Sequence, residues 1–367
     1  MTREEAISKI NEALAAYSDI GEISLCDPYG NGHINDTFLV VASSGRYILQ
    51  RINDNVFPRP DKIMENIVMV TTHIRKKLGD SQDNRSCLTV VDTNDGEHFF
   101  RDSIGSFWRL YAFVEDSVAK EKSDGIDDFH AAAVAFGNFQ KMLSDFPAEK
   151  LNEAIADFHN TPKRLENLKK SIKSNVCGRT EEVKAEIDFA LAREDFAHTL
   201  ENAHENGTLP LRVTHNDTKL NNILFDKQSG SPVCVIDLDT VMPGYSVNDF
   251  GDSIRFGAST AAEDETDLGL VKLDLNLFAA FAEGFITSCG EGLTNEEAML
   301  LPVGAMMMTF ECGMRFLTDY IDGDIYFRTH RPGHNLDRCR NQFALLADME
   351  AKLEEMTKIV ENIIKQR

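Results

Sequence analysis

Polar side chains between positions 217 and 237 have the chemical types that a phosphoryl transfer requires. Transfer to a hydroxyl needs a carboxylate that orients the hydroxyl and accepts its proton, and oxygen ligands that hold Mg²⁺ against the donor phosphates. Asp217 suits the first task. Asn222 and Asp237 supply hard oxygen ligands of the kind that Mg²⁺ prefers, while water and phosphate complete its coordination. The stretch therefore predicts a phosphoryl-transfer centre.

The spacing of these residues is that of a kinase catalytic loop. His215, Asp217 and Asn222 follow the H-x-D-x-x-x-x-N pattern. Asp237 ends an apolar run, where kinases place the metal-binding Asp of D-F-G. Taken alone, His-Asn-Asp is more often a turn, because Asn and Asp side chains readily bond to nearby backbone. The complete set, with a strand predicted before the loop and another after it, favours a site over a turn.

The loop resembles that of the aminoglycoside phosphotransferase and choline kinase superfamily, and further segments narrow the resemblance to the N-acetylhexosamine 1-kinase family. These segments span nearly the whole chain: 29–40, 47–53, 107–113, 235–244, 248–255 and 311–327. The resemblance implies an α+β, two-lobed protein-kinase-like fold, with a small antiparallel-sheet N-terminal lobe and a large, mainly helical C-terminal lobe. It also implies ATP and Mg²⁺ as cofactors.

Length and local patterns predict a lobe boundary near residue 116. At 367 residues the chain exceeds the size at which a single core keeps growing. Strands and two helices are expected before the boundary, the strands over 38–42, 46–52, 87–91, 98–101 and 106–114 and the helices in the N-terminal stretch and over 61–78. Helices are expected after it, over 129–144, 161–174, 181–205, 275–288, 295–320 and 336–365. We therefore expect a nucleotide-binding lobe over 1–116 and a catalytic and substrate-binding lobe over 117–367.

Composition limits the partners. The formal net charge of −22 argues against nucleic acid and anionic membrane surfaces, because like charges repel. In the N-terminal stretch, Ile7, Ile10 and Leu14 stand at helical spacing with charges between them, unlike a signal peptide. No apolar run is long enough to span a membrane. Seven cysteines without a C-x-x-C pair are typical of free thiols in a reducing cytosol. We expect a cytoplasmic enzyme that binds ATP and a small sugar. The sequence does not specify its oligomeric state.

The donor side departs from the kinase pattern at one position. Gly30 and Gly32 precede a strand and form either a plain turn or a loop that lets backbone approach the nucleotide phosphates. Gln50 stands where the resemblance places a strand lysine, so it can donate hydrogen bonds but brings no charge. Lys219 is the candidate for the missing cation, beside the proposed base. The nucleotide base is expected at the lobe junction that ends at Glu115, where main-chain recognition suits ATP and GTP alike.

The segment expected to close over the acceptor favours an uncharged polyol. Residues 314–340 are rich in Arg, His and Tyr, which donate hydrogen bonds to hydroxyls and carbonyls, and the cations among them would repel an ammonium group. By resemblance, the proposed base would bind the anomeric hydroxyl, and His33, Arg315 and Tyr326 would contact the sugar. Each of the three has an alternative: His33 shapes a turn, Arg315 pairs with Asp319 one helical turn on, and Tyr326 lies in the core.

Three further acids have less specific signals. Asp249 and Asp252 are expected to brace the catalytic loop, as in related kinases. Asp239 either joins the metal site or caps the following turn. Trp108 is expected to pack in the core and not to stack on a ligand.

Taken together, the residues and the resemblance predict an ATP- and Mg²⁺-dependent sugar kinase that phosphorylates the anomeric hydroxyl of an N-acetylhexosamine, GlcNAc or GalNAc, to the 1-phosphate. A kinase of the same fold for another small alcohol, such as choline, an aminoglycoside or another sugar, is the nearer alternative. A nucleotide-binding pseudokinase is the more distant one, because the strand lysine is absent.

Overall fold

The computed structural model describes residues 3–30, 34–79, 84–120 and 125–367. The chain divides into two compact units. The first comprises Met1–Val118, Glu149–Ala156 and Leu224–Met242, and the second comprises Ala119–Ala148, Asp157–Ile223 and Pro243–Arg367. The nucleotide-binding and catalytic roles predicted for 1–116 and 117–367 stay a prediction.

Strands and helices alternate early in the chain, and helices dominate later. The first elements are α1 (Arg3–Ala15), β1 (Ile23–Pro28), β2 (Asp36–Ala42), β3 (Gly45–Arg51), α2 (Pro60–Leu78), β4 (Val90–Val91), β5 (Phe100–Arg101), β6 (Phe107–Ala112) and β7 (Ser117–Ala119). They are followed by α3 (Ile126–Leu143), α4 (Thr161–Ser174), α5 (Lys184–Leu191), α6 (Glu194–Ala197), α7 (Thr199–Glu205), β8 (Arg212–Thr214), β9 (Ile223–Asp226), β10 (Pro232–Val235), β11 (Met242–Gly244), α8 (Ser246–Gly257), α9 (Leu275–Cys289), α10 (Asn295–Met299), α11 (Leu301–Asp322), α12 (His334–Ala351) and α13 (Leu353–Gln366).

An antiparallel sheet forms the centre of the first unit. Its strand order is β1-β2-β3-β6-β4, and β5 also pairs with β6. β2 and β3 form a hairpin in which Ala42 pairs with Gly45, so Ser43 and Ser44 make the turn. In the next pair, Gln50 on β3 lies opposite Arg109 on β6. This register places two polar side chains side by side on one face of the sheet.

Apolar side chains of α1 and the sheet form a buried cluster in the first unit. Its members are Ala13, Leu14, Tyr17, Ile20, Val40, Ala42, Leu49, Trp108 and Leu110. Trp108 is 2% exposed, stacks on Phe38 and donates its indole N–H to Asp102 at 3.0 Å. The expectation that Trp108 packs in the core is confirmed, because both its rings and its polar atom are occupied there.

The second unit is mainly helical, and glycines allow its helices to approach closely. At Gly251 of α8, an added Cβ would lie 2.4 Å from the carbonyl oxygen of Gly304 on α11. At Gly137 of α3, it would lie 2.7 Å from the carbonyl oxygen of Phe285 on α9. These contacts are shorter than any side chain allows, so the two crossings require glycine.

Several predicted helices are wrong in extent. The helix expected over 181–205 is three shorter helices, α5 to α7, and the one expected over 336–365 is broken at Lys352 into α12 and α13. The helix expected over 295–320 is interrupted at Leu300, because Pro302 lacks a backbone N–H and fits only the first turn of α11. Helix α8 was not predicted, because its buried face includes polar residues and so hides the helical pattern.

The cysteines and the most apolar helices bear on two further expectations. All seven cysteines are free thiols. Among the helices of the described ranges, none combines the length and the apolar character needed to cross a membrane.

Candidate active site

Asp217, Lys219 and Asn222 lie together on the loop that follows β8. The ammonium nitrogen of Lys219 lies 2.5 Å from Oδ1 of Asp217. The side-chain amide of Asn222 donates to Oδ2 of Asp217 at 3.0 Å and to its main-chain oxygen at 2.8 Å. The Asp217 carboxylate is half-buried and held at both oxygens, so its orientation is set before any ligand binds. These three residues, predicted from one short stretch, are adjacent in the structure.

Two carboxylates keep Lys219 charged. Burial lowers the pKa of Lys219, but the negative charges of Asp217 and Asp252 outweigh it, and the pKa is raised overall. Asp252 is itself buried and bonds to Arg255 at 3.0 Å. The loop therefore carries a permanent cation next to the carboxylate that the sequence assigns as the base.

Asp249 braces the catalytic loop from α8, as expected. One oxygen of its buried carboxylate accepts the backbone N–H of His215 at 2.8 Å, and the other accepts the backbone N–H of Asn216 at 2.8 Å. Gln140 donates to the same carboxylate at 2.8 Å, and the hydroxyl of Thr218 donates to the main-chain oxygen of Asp249 at 2.6 Å. Burial raises the pKa of Asp249, although these hydrogen bonds oppose the shift. Asn216 adopts the left-handed conformation with φ of 64°, which the braced turn imposes.

His215 has a structural position within this loop. It is fully buried, and its ring makes edge contacts with Phe136 and Phe139 of α3 at centroid distances of 5.6 and 5.9 Å. Its Nδ1 accepts the backbone N–H of Asp217 at 3.3 Å. Packing and turn geometry thus account for His215, and the role of Asp217 as the base stays a prediction.

The loop after α11 positions Tyr326 and excludes two of the alternatives. The carboxylate of Asp319 accepts the backbone N–H groups of Ile325, Tyr326 and Phe327 at 2.9, 2.7 and 2.9 Å. Arg315 lies instead over the rings of Tyr326 and Phe327, with its central carbon 5.9 and 5.4 Å from their centroids. Pairing of Arg315 with Asp319 is therefore wrong, and so is a core position for Tyr326, which is 72% exposed. Their contact with a sugar stays a prediction.

The donor-side prediction at Gln50 leads to a residue that the sequence interpretation missed. Oε1 of Gln50 accepts two hydrogen bonds from Arg109, at 3.0 and 2.9 Å, and its Nε2 donates to Thr37 at 3.0 Å. Arg109 is fully buried and forms an ion pair with Asp239. A single Arg between the bulky apolar residues of FWRLYAF was the available signal, because a charge inside a buried strand requires a partner.

Asp239 neither caps a turn nor offers a free carboxylate. It is 2% exposed, and its two oxygens accept from Arg109 and from Asn35, the latter at 2.7 Å. Asp237, by contrast, is exposed at the end of β10, with a left-handed backbone at φ of 59°. Burial lowers the pKa of the Arg109 guanidinium, but the negative groups around it, first Asp239 and to a lesser extent Asp237, together raise that pKa overall. The two acids of Asp-Leu-Asp thus differ in accessibility: Asp239 is buried with both oxygens bonded, whereas Asp237 is exposed.

Two further residues that were predicted to bind the nucleotide, Gly30 and Glu115, lie in the described segments. Gly30 follows β1 with φ of 76°, a conformation that favours glycine. Glu115 is exposed and pairs with Arg46. Gly32 and His33 lie outside the described residues. Nucleotide binding at Gly30, Gly32, Gln50 and Glu115 stays a prediction.

The two predicted metal ligands have donor atoms that suit Mg²⁺. Because the nitrogen of the Asn222 amide donates to Asp217, the amide oxygen is turned toward other partners and can act as a neutral ligand. Asp237 supplies an exposed carboxylate. One amide oxygen and one carboxylate match a cation that takes most of its ligands from phosphate and water. Asn222 belongs to the second unit and Asp237 to the first, and their joint use of one metal stays a prediction.

Comparison with known proteins relates this geometry to a family and a fold. A model of the phosphotransferase enzyme family matches residues 26–283. The chain is similar to a microcompartment-associated aminopropanol kinase, with a TM-score of 0.63, 17% identity and coverage of 97% of this chain and 99% of that one. It is also similar to wild-type aminoglycoside 2'-phosphotransferase-IIIa in a GDP complex, with a TM-score of 0.59, 13% identity and coverage of 94% and 99%. A third similar structure is choline kinase LicA from Streptococcus pneumoniae, with a TM-score of 0.54, 11% identity and coverage of 94% of this chain and 99% of that one. The predicted protein-kinase-like α+β fold is confirmed.

Proposed function

Because the chain belongs to the phosphotransferase enzyme family, we propose that it is an ATP- and Mg²⁺-dependent kinase that phosphorylates the anomeric hydroxyl of an N-acetylhexosamine, GlcNAc or GalNAc. The observation that carries the kinase assignment is the arrangement of Lys219 and Asn222 around the Asp217 carboxylate. A carboxylate fixed at both oxygens beside a permanent cation suits proton acceptance next to a developing phosphate charge.

Each residue of the loop has a defined task in this reaction. Asp217 orients the acceptor hydroxyl and takes its proton as the hydroxyl oxygen bonds to the γ-phosphorus of ATP. The bond from that phosphorus to the bridging oxygen breaks, and ADP leaves with the electron pair. Lys219 attracts the transferred phosphoryl group. Asn222 and Asp237 would hold Mg²⁺, which when bound neutralises charge on the donor phosphates.

The choice of a sugar over an amine rests on Arg315. In the described part of the chain, no carboxylate lies within ion-pair distance of this guanidinium, which projects toward Tyr326 and Phe327. A cationic acceptor would need carboxylates or open aromatic faces at its ammonium group, whereas a guanidinium donates to hydroxyl and carbonyl oxygens. The resemblance to N-acetylhexosamine 1-kinases agrees with this preference.

The direct test uses the purified protein, MgATP and a panel of N-acetylhexosamines, unacetylated hexoses, hexosamines and amino alcohols. ADP release should be greatest with GlcNAc or GalNAc, and ³¹P NMR of the product should show coupling of phosphorus to H1. Preferred turnover of choline or ethanolamine would move the assignment to another alcohol kinase of this fold. Nucleotide binding without turnover of any panel member would favour the pseudokinase.

A further inference from the structure

A group of ionisable side chains joins the start of α4 to the middle of α11 in the second unit. We call His159, Arg164, Glu311 and Arg315 the α4–α11 cluster. Glu311 is fully buried at its centre. One of its oxygens bonds to Nδ1 of His159 at 3.0 Å, and the other accepts the hydroxyl of Thr161 at 2.8 Å. The only carboxylate of the cluster is therefore already bonded at both oxygens.

Two buried polar atoms of the cluster remain without partners in the described part of the chain. Because Nδ1 of His159 donates to the Glu311 carboxylate, Nε2 of the neutral ring is an acceptor, whereas Nε of Arg164 is a donor. Among the described residues, neither Nε2 of His159 nor Nε of Arg164 has a hydrogen-bond partner, although both atoms are buried. Arg164 uses one terminal nitrogen to donate to the main-chain oxygen of Phe158 at 2.8 Å. Arg315 lies against aromatic rings. Buried polar atoms are nearly always bonded, so an unbonded acceptor and an unbonded donor at the start of α4 indicate a place for a ligand that carries both hydroxyl and carbonyl groups.

The cluster also has surplus positive charge. The pKa of Arg164 is lowered, first by burial and then by the nearby charge of Arg315, although Glu311 and Asp157 act in the opposite direction. The pKa of Arg255, which is buried but paired with its own acids, is raised instead. Burial raises the pKa of Glu311, but the hydrogen bond from His159 and the charges around it lower it overall, so this carboxylate is ionised at neutral pH. Within the cluster, one carboxylate is thus set against two guanidinium groups, and Asp157 outside it acts on Arg164 as a weaker counter-charge.

We propose that His159, Arg164 and Arg315 form a binding site for the carbonyl and hydroxyl groups of the acceptor, in which the two guanidinium groups donate to oxygens and Nε2 of His159 accepts a hydroxyl hydrogen. The site thereby selects an oxygen-rich acceptor without a cationic group. The site lies next to the loop predicted to close over the acceptor, because Tyr326 interacts electrostatically with Arg164 and contacts Arg315. The inference rests on the proposed function only for the identity of the acceptor. For an N-acetylhexosamine, the acetamido carbonyl is the strongest acceptor that the site could bind.

The test compares Arg164→Met with Lys163→Met, its neighbour on α4, whose side chain is 40% exposed and pairs with Glu166. Loss of the Arg164 donors should raise the KM for the acceptor by roughly ten- to hundredfold. The KM for MgATP should stay within about twofold, because Arg164 is not among the residues proposed to bind the donor. The preference for N-acetylglucosamine over glucosamine should fall, and Lys163→Met should leave all three values unchanged. Calorimetric titration of the same acceptors gives a second readout that needs no turnover.

The outcomes separate this inference from the proposed function. An unchanged acceptor KM in Arg164→Met, or an equal rise in the KM values for acceptor and MgATP, would contradict the site. Wild-type preference for choline or ethanolamine would also contradict it. Preference for a different neutral alcohol, or sugar binding without turnover, would overturn the proposed function and leave the site standing if Arg164→Met weakens that binding. If Arg164→Met does not fold, Arg164→Lys keeps a charge but lacks the Nε donor and should still weaken acceptor binding severalfold.

Discussion

At the scale of single residues, Asp217 depends on neighbours that fix its side chain and its backbone separately. Lys219 and Asn222 hold the carboxylate, while Asp249 holds the preceding backbone through the N–H groups of His215 and Asn216. Such a carboxylate loses little conformational freedom when an acceptor hydroxyl binds. The residue should therefore matter for the chemical step far more than for folding.

We expect Asp217→Asn to lower kcat by roughly 10²- to 10⁴-fold, because the amide cannot accept the hydroxyl proton. Nucleotide affinity and the thermal midpoint should change little, since the amide keeps the size of the side chain. Steady-state kinetics, nucleotide titration and thermal denaturation measure the three effects. The control is Asp188→Asn on the exposed side of α5, which should retain full activity. Near-normal turnover of Asp217→Asn would remove Asp217 from the role of base.

At the scale of elements, the buried cation of the β3–β6 pair lies on β6, whereas the kinase pattern specifies a lysine on β3. Gln50 on β3 is neutral, and Arg109, directly opposite on β6, supplies a guanidinium that bonds to Gln50 and Asp239. The positive charge that the resemblance places on β3 therefore lies one strand away. The lysine is absent, but a cation is present on the same sheet.

An exchange of the two side chains tests this relation. Gln50→Arg and Arg109→Gln should each destabilise the fold, because the first places two guanidinium groups together and the second leaves Asp239 without its ion pair. The double variant should recover part of the loss, with a coupling free energy of about 0.5–3 kcal/mol in a double-mutant cycle. Urea denaturation gives the free energies of unfolding, and the KM for MgATP shows whether the donor side recovers as well. Purely additive changes in the free energy of unfolding would show that the pair does not act as a unit. The control is Arg101→Gln on β5, where the side chain is exposed.

At the scale of the whole molecule, acidity is the dominant electrostatic property. The formal net charge is −22, so ionised carboxylates repel one another across the surface. Several partly or fully buried acids nevertheless have lowered pKa values, because hydrogen bonds and cations around them outweigh burial: Asp102, Asp252, Glu311 and Asp348. Asp249, whose pKa is raised by burial, has the opposite effect on the way stability changes with pH.

The lowered pKa values predict that acid destabilises the protein. An acid whose pKa is lower in the folded state binds fewer protons there than in the unfolded chain, so its contribution is complete above the unfolded pKa and is lost as pH falls through the folded pKa. The free energy of unfolding should therefore fall as pH drops below about 4.5, the ordinary value for Glu, and further below 3.8, that for Asp. Urea denaturation between pH 7 and pH 3.5 measures the slope. Glu311→Gln should reduce that slope and the exposed Glu355→Gln should not, and equal slopes in both variants would contradict the assignment.

The sequence alone predicted the catalytic loop, the α+β class and most strands and helices, because each depends on residues close together along the chain. Asp217, Lys219 and Asn222 lie within one short stretch, so their spacing already requires them to be neighbours. Likewise, α4 begins at Thr161 as predicted, because the adjacent Asn160 side chain accepts the N–H of Lys163 at 3.0 Å.

The partners of distant residues were decided only by tertiary structure. Arg109 is 59 positions from Gln50 and 130 from Asp239, and His159 is 152 from Glu311. Whether such residues meet depends on strand register and on helix packing, which no local pattern specifies, since a shift of one residue in a strand moves every side chain to the other face. The sequence therefore determined which candidate groups lie together on the loop, and the fold determined which charges surround them.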